Sequence, residues 1–305
     1  MVEFKKFKEK PAGILGAVDL KTFKGKTIHW IFVAILLLVS LITVVPALWA
    51  VMIAFKDTQE IYTSLSFFPK NMSLENMIGR ITESWEILKL GETILLTLFK
   101  SLGDLVFTLV FCGFSGYALS KIKPKGTKII FALIVWTMMM PSQIRTVPNY
   151  MTMLHFPFAF DWGGINLLNT YWPLWIGHAV QSFTIILFKN AFDAVPTSLV
   201  EAAKIDGCSE LGIFFKIMIP LSMPIVLYVS ITSLQQAWSD YFGPLIYLTE
   251  NYTLPLKLFK MSESTDVKMN TYFMGFIFAS IPTLIIFLVG QKYILGGVNI
   301  GGVKG

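Results

Sequence analysis

Twenty-four consecutive residues, Ile31 to Ala54, carry no charged side chain, and that run limits the fold before any other feature is weighed. About 20 apolar residues wound as a helix cross the hydrocarbon core of a bilayer. Inside that core only helices and closed barrels satisfy their backbone hydrogen bonds. A second uncharged run, Met269–Gly290, is 22 residues long, and the alternating segments that mark a membrane barrel are absent. The chain therefore reads as an all-α membrane protein. Composition agrees, since 54% of its 305 residues are hydrophobic and only 14% are charged, against roughly 25% charged in soluble domains.

Between these runs the hydropathy predicts four more spans, at 93–120, 127–150, 171–188 and 217–248, giving six transmembrane helices. The fifth is overlong and carries Pro220, Pro224 and Pro244, so part of it is expected to project from the membrane or to break there. With the N-terminus inside, 16 Lys and Arg fall in inner segments and 7 in outer ones. The positive-inside rule then places both termini in the cytoplasm, and the net charge of +6 expresses this bias, not nucleic-acid binding. Residues 1–27 form a basic segment, either a surface helix on an anionic leaflet or a solvated tail, ahead of a single transmembrane domain over 28–305. No cleavable signal peptide is expected. The outer loop 56–91 is long enough for local structure, and outer loops 151–170 and 249–268 are shorter and turn-rich. Cys112 and Cys208 lie far apart in the topology, with no reason to pair.

The cytoplasmic loop 189–216 is the best-patterned segment. Ser198 followed by Glu201 reads as a capping box, and Gly207 stands where a left-handed residue would stop a helix. The result is a helix of about two turns, too short to be stable alone. Ser209 and Glu210 can open a second helix that continues into span five. A short capped helix with two adjacent alanines is either shaped for docking or is a plain connector.

Here the chain resembles a known family. Glu201-Ala202-Ala203, three residues, Gly207, nine residues, Ile217, one residue, then Ile219-Pro220 resembles the EAA signature of ABC importer permeases, with Ile219 where Leu is usual. Gly116-Tyr117-Ala118-Leu119, the block from Trp238 to Leu245, Tyr252-Thr253-Leu254-Pro255 and the ending Gly301–Gly305 resemble the MalG-like carbohydrate branch of that family, with Ser239 in place of Asn. The resemblance implies a type I ABC importer permease fold in a prokaryotic cytoplasmic membrane. It further implies a coupling helix docked on a partner ATPase dimer that holds ATP and Mg, so no cofactor is expected on this chain. A second homologous permease and an extracytoplasmic solute-binding protein would complete the importer, and the cargo would be a carbohydrate, probed near 249–260. The coupling role falls on Glu201, Ala202, Ala203, Asp206, Gly207, Ile217 and Pro220. In this reading Ala202 and Ala203 permit close approach and Glu201 caps the helix.

Other signals are weaker. Gly25-Lys26-Thr27 looks like the end of a P-loop, but Leu20 stands where its first glycine would be. No catalytic triad and no metal-ligand spacing is present around His29, His155 or His178. Lys100 and Asp104, four apart, can neutralise each other on one helix face, with a substrate contact as the alternative. Arg145 is expected to snorkel to the outer interface. In span five, Ser233, Gln236 and Asp240 form one polar stripe and Thr232, Gln235 and Ser239 form its neighbour. Gln235, Gln236, Trp238 and Asp240 are suited to a sugar pathway, with hydrogen bonds between subunits as the alternative. An ion-coupled secondary transporter is the competing class, and it would require ion-coordinating carboxylates at the midplane.

Overall fold

In a lipid-solvated protein the buried face of a helix is free to be the polar one, and that inversion organises this molecule. The structure, a computed structural model, describes residues 23–158, 163–264 and 267–295. Most of the basic N-terminal segment and the Gly301–Gly305 ending lie outside the described residues. The 33-residue α1 (Phe23–Phe55) buries only Gly25, Ile53 and Ala54. The P-loop look-alike and the expected boundary at residue 27 therefore both fall inside a continuous helix. Two short helices follow, α2 (Thr58–Thr63) and α3 (Leu74–Leu88), the latter capped by the Ser73 hydroxyl, which accepts from the Asn76 N–H.

The centre of the bundle is α4 (Leu90–Ile122), which packs against α3 and four of the later helices. Its inward face carries Thr93, Thr97, Lys100, Ser101, Asp104 and Thr108, all buried, while Leu95, Phe99, Leu102 and Val106 point outward and are more than half exposed. Two wide π turns, Thr108–Cys112 and Ala118–Ile122, interrupt its regular winding.

The next segments are broken. After α5 (Thr127–Met139) the chain turns by 105° at Met140–Pro141 into α6 (Thr146–Leu154). The expected span 127–150 is thus two pieces, because Pro141 leaves an N–H missing and disfavours helical geometry at Met140. The expected span 171–188 is likewise divided into α7 (Trp172–Ala179) and α8 (Ser182–Asp193), separated by Val180 and Gln181. A turn of 77° leads to α9 (Thr197–Ile205), followed by α10 (Glu210–Leu221).

Ser209 caps α10 by accepting from Gly212 N–H, as the sequence suggested. Instead of running on into span five, however, α10 meets α11 (Met223–Ser239) at 85° around Ser222. Pro224 stands at the first turn of α11, where a missing N–H costs nothing. A π turn over Phe214–Met218 precedes Pro220 and opens the winding where its ring would crowd the preceding turn.

The chain closes with α12 (Phe242–Tyr247), α13 (Leu254–Ser262) and α14 (Met269–Leu295). The loop expected to probe a binding protein is largely the helix α13, whose Leu254, Leu256 and Leu258 are buried. Its first N–H, on Leu254, is capped from α4 by the Thr97 hydroxyl at 2.8 Å. Trp238 clamps α11 to α14 through its indole N–H, donated to Ala279 O at 2.8 Å. Three helices (α1, α4, α14) are long and apolar enough to cross a bilayer, and three bent pairs raise the total to six if each is one span.

Close approach is concentrated at Gly116, where a Cβ would lie 2.6 Å from Phe188 Cβ and 2.9 Å from the Lys189 backbone nitrogen of α8. Gly79 on α3 meets nothing within 4 Å. Gly116→Ala should therefore lower the unfolding free energy in detergent by about 1–3 kcal/mol through overpacking. Gly79→Ala should raise it by about 0.5–1 kcal/mol through backbone entropy alone. Thermal unfolding of the two purified variants tests the pair, and equal shifts would refute the packing assignment.

Candidate functional site

Two regions concentrate chemistry, and α4 joins them. The first lies where α4 passes the end of α11. Lys100 is fully buried, and its ammonium donates to Ala237 O at 3.0 Å and to Asp240 Oδ2 at 2.9 Å. Asp104 Oδ2 is 3.0 Å from the same nitrogen. Helix α11 ends here, so Ala237 offers one of the carbonyls that a helix C-terminus leaves unpaired, and a cation is the favoured partner for it. The other oxygen of Asp240 accepts from Gly243 N–H at 3.0 Å and so starts α12. His178 Nδ1 lies 3.2 Å from Asp104 Oδ1 and 2.9 Å from Leu174 O.

The expected Lys100–Asp104 pair is thus present, but it is part of a cluster that recruits Asp240 and His178. Asp240, expected to face a sugar, is instead bound to Lys100 and Gly243. Trp238, named for the same role, is largely buried and donates its N–H to Ala279 O. It lines, with Gln235, Ser239, Tyr241, Phe259 and Tyr272, a cleft of about 690 Å³. Gln236 is exposed on another face and does not line that cleft, and Thr232 bonds back to its own helix at Tyr228 O. The two stripes drawn from sequence therefore do not form one surface.

A second cavity, of about 520 Å³, lies where three breaks converge: Met140–Pro141, Val180–Gln181 and the α11–α12 turn. Thr137, Arg145, Asn149, Gln181, Ser182 and Tyr247 are among its lining side chains. From the α4 side, the carbonyls freed at the α7–α8 break are met by Thr108, which donates to His178 O at 3.3 Å, and by Cys112, whose thiol lies 3.4 Å from Ala179 O. Sequence reasoning placed Arg145 at an interface and missed this cavity. Its visible signals were Pro141 and Pro148, which bracket Arg145 within a span otherwise apolar.

The second region is the loop at the other end of α4. Helix α9 has no side-chain cap; Pro196 precedes it, and Glu201 is exposed. The capping box is therefore corrected: Pro196 holds the cap position and Thr197 already lies inside the helix, which leaves Ser198 two residues too late to cap it. The stop at Gly207 is as the sequence suggested. Gly207 has φ +77°, its N–H bonds to Lys204 O at 3.1 Å, and Cys208 N–H bonds to Ala203 O at 2.9 Å, the paired bonds of a Schellman turn. Asp206 is the exposed residue just before it, and Cys208 is a free thiol, as is the buried Cys112.

Val200 and Ala203 are buried against the bundle, whereas Leu199, Ala202 and Ile205 face outward, Ile205 at 87% exposure. Only one of the two signature alanines, Ala202, is thus open to a partner. Ile217 packs beside Phe214 in the core beneath, and Pro220 is exposed. The loop is fastened to α4 by Tyr117, whose hydroxyl donates to Glu210 Oε2 at 2.6 Å, while Lys204 pairs with Glu210 Oε1 at 2.6 Å. Ser120 donates to Asp193 Oδ1 and Lys121 to Val195 O, each at 2.6 Å. The two sequence blocks around Tyr117 and Glu201 are therefore one assembly.

A polytopic membrane subunit that offers a rigid, rooted, apolar-faced loop to another protein is the class these features define. The profile of binding-protein-dependent transport system inner membrane components matches residues 109–298, well over half the chain, and the chain belongs to that family. YurM of Bacillus subtilis, a probable ABC transporter permease, is 28% identical over 93% of this chain and 91% of its own. AraQ of the same species, an arabinooligosaccharides transport system permease, is 30% identical over 88% of this chain and 93% of its own. A solved chain from a bacterial ABC transporter involved in the import of the acidic polysaccharide alginate superimposes with a TM-score of 0.73 at 22% identity. The match covers 89% of this chain and 98% of that one, and it shows a shared fold. The protein is accordingly an ABC importer permease, a transport subunit, and the ion-coupled alternative is set aside.

The buried cluster makes a quantitative expectation. Lys100→Met strands Asp104 and Asp240 and should cost about 3–5 kcal/mol of stability. Lys100→Met combined with Asp104→Leu should recover part of that loss, since an apolar replacement of a buried pair is close to neutral. Thermal unfolding of the detergent-solubilised variants tests this, and a double variant less stable than Lys100→Met would contradict the pairing.

Proposed function

We propose that this chain forms one half of the membrane pathway of a carbohydrate importer in the cytoplasmic membrane of a prokaryote. It crosses the membrane six times with both termini in the cytoplasm, and a second, homologous permease completes the pathway. A dimer of cytoplasmic ATPase subunits holds ATP and Mg, and an extracytoplasmic binding protein delivers the sugar. The observation that carries the reading is α9: a short helix with an outward stripe of Leu199, Ala202 and Ile205, rooted through Glu210 to Tyr117 of α4. An isolated helix of nine residues is not stable, and an exposed isoleucine on it is favourable only when covered. The ATPase groove is the natural cover, and closure of that dimer would press α9 and, through Tyr117, displace α4. The arabinooligosaccharide permease AraQ supports the carbohydrate assignment.

Two substitutions separate docking from coupling. Ile205→Asp should cost about 2 kcal/mol of ATPase binding, seen as loss of ATPase subunits on co-purification. Gly207→Val meets no neighbour but forces a β-branched residue to positive φ, at roughly 1–2 kcal/mol. That variant should insert and assemble, yet hydrolyse ATP without sugar uptake in proteoliposomes. Full assembly of Ile205→Asp together with wild-type uptake by Gly207→Val would remove the coupling role of α9.

A further inference from the structure

We propose that the cavity at the three helix breaks takes sugar units bearing a carboxylate, and that Arg145 selects them. The inference rests on the reading of the chain as a carbohydrate permease and narrows its substrate class to acidic oligosaccharides.

Depth gives the first argument. Helix α5 has 13 residues and α8 has 12, so each covers roughly 18–20 Å at 1.5 Å per residue. A hydrocarbon core is about 30 Å thick. If the ends of α5 and α8 nearest α9 lie at one face of the membrane, both breaks fall within its thickness. Irregular backbone at that depth is tolerated where it lines a water-filled cavity or is buried in protein. Here three breaks share one cavity, and its polar wall supplies amides from Asn149 and Gln181, the Thr137–Ser182 hydroxyl pair at 2.7 Å, and the Tyr247 ring stacked on Tyr150. Hydroxyls, amides and an aromatic face suit a sugar, and the volume is within the range of small-ligand sites.

Charge gives the second argument. Among the described residues that line the cavity, Arg145 is the charged one and none is a carboxylate. The nearest wall, Phe242–Gly243, is backed by Asp240, but both oxygens of Asp240 are engaged, one by Lys100 and one by Gly243 N–H. None of the ion pairs among the described residues includes Arg145. A cation at membrane depth is costly and marks a substrate path when it faces a cavity. A guanidinium presents two parallel donors matched to a carboxylate. A neutral oligosaccharide needs no such charge, whereas a uronate-type unit supplies the missing partner.

The test is uptake by proteoliposomes holding the complete importer with its binding protein. The probes are a trisaccharide of galacturonic acid and its carboxyl-reduced galactose counterpart. Wild type should favour the acidic probe. Arg145→Gln should lower the acidic-to-neutral uptake ratio by roughly ten- to a hundredfold, the reach of a charge-assisted hydrogen bond, and Arg145→Lys should restore part of it. Wild-type uptake of the neutral probe alone, or an unchanged ratio in Arg145→Gln, overturns this inference and leaves the carbohydrate reading standing. Uptake of neither probe, with ATP hydrolysis intact, overturns both. A loss in Arg145→Gln that is equal for both probes and disappears in vesicles without anionic lipid assigns Arg145 to a lipid headgroup and also overturns it.

Discussion

The packing around α4 depends on pairing buried charges and backbone ends where little water competes for them. Lys100 is the clearest instance. A buried ammonium is tolerable only when its charge and all its protons are met, and three acceptors from two helices meet it: Ala237 O, Asp240 and Asp104. In return it closes the C-terminus of α11, leaves Asp240 free to start α12 through Gly243, and so shapes one wall of the cavity. The Trp175 indole donates to Lys100 O and lies where a side chain on Gly103 would be. Glycine at that position brings α7 onto α4 and His178 to Asp104.

The same pairing ties the segments of the subunit to one helix. Along α4 the inward polar residues each hold a different segment: Thr97 holds α13, Lys100 holds α11, Thr108 and Cys112 hold the α7–α8 break, and Tyr117 and Ser120 hold the loop around α9. The loop around α9 is tied to α4 by Tyr117–Glu210, Ser120–Asp193 and Lys121–Val195 and packs on it at Gly116. The same helix reaches the α7–α8 break, which lines the cavity. The contacts are directional bonds in a medium with few competing partners, so relative sliding is resisted more than bending at the breaks. Ser222, Val180–Gln181 and Met140–Pro141 are where the fold yields.

Much of this was legible in the sequence, and the reasons differ by element. The uncharged runs of α1 and α14 state their own fate, because hydrocarbon solvation needs only length and apolarity. The Gly207 stop is legible because a left-handed residue has one cheap solution. Helix breaks are not, since hydropathy over a window is blind to direction: 127–150 and 171–188 are apolar enough to read as straight rods, although each is two pieces. Nor could spacing along one helix show that Lys100 and Asp240 meet, 140 residues apart. The two polar stripes of α11 follow from helical periodicity, which does not tell what packs against each residue. Their members in fact divide among a cleft, an ion cluster and their own helix backbone. The α9 cap differs for a smaller reason, a two-residue shift in where the helix begins, the usual error at helix ends.

The two cations inside the apolar stretches are held in opposite states, and the contrast is informative. Lys100 is fully enclosed with two carboxylates, so its charge is compensated inside the chain and is unavailable to anything passing by. Arg145 stands in a turn between two helix halves and lines a cavity with amides and hydroxyls. The buried cluster engages both oxygens of Asp240, one by Lys100 and one by Gly243 N–H, whereas none of the ion pairs among the described residues includes Arg145.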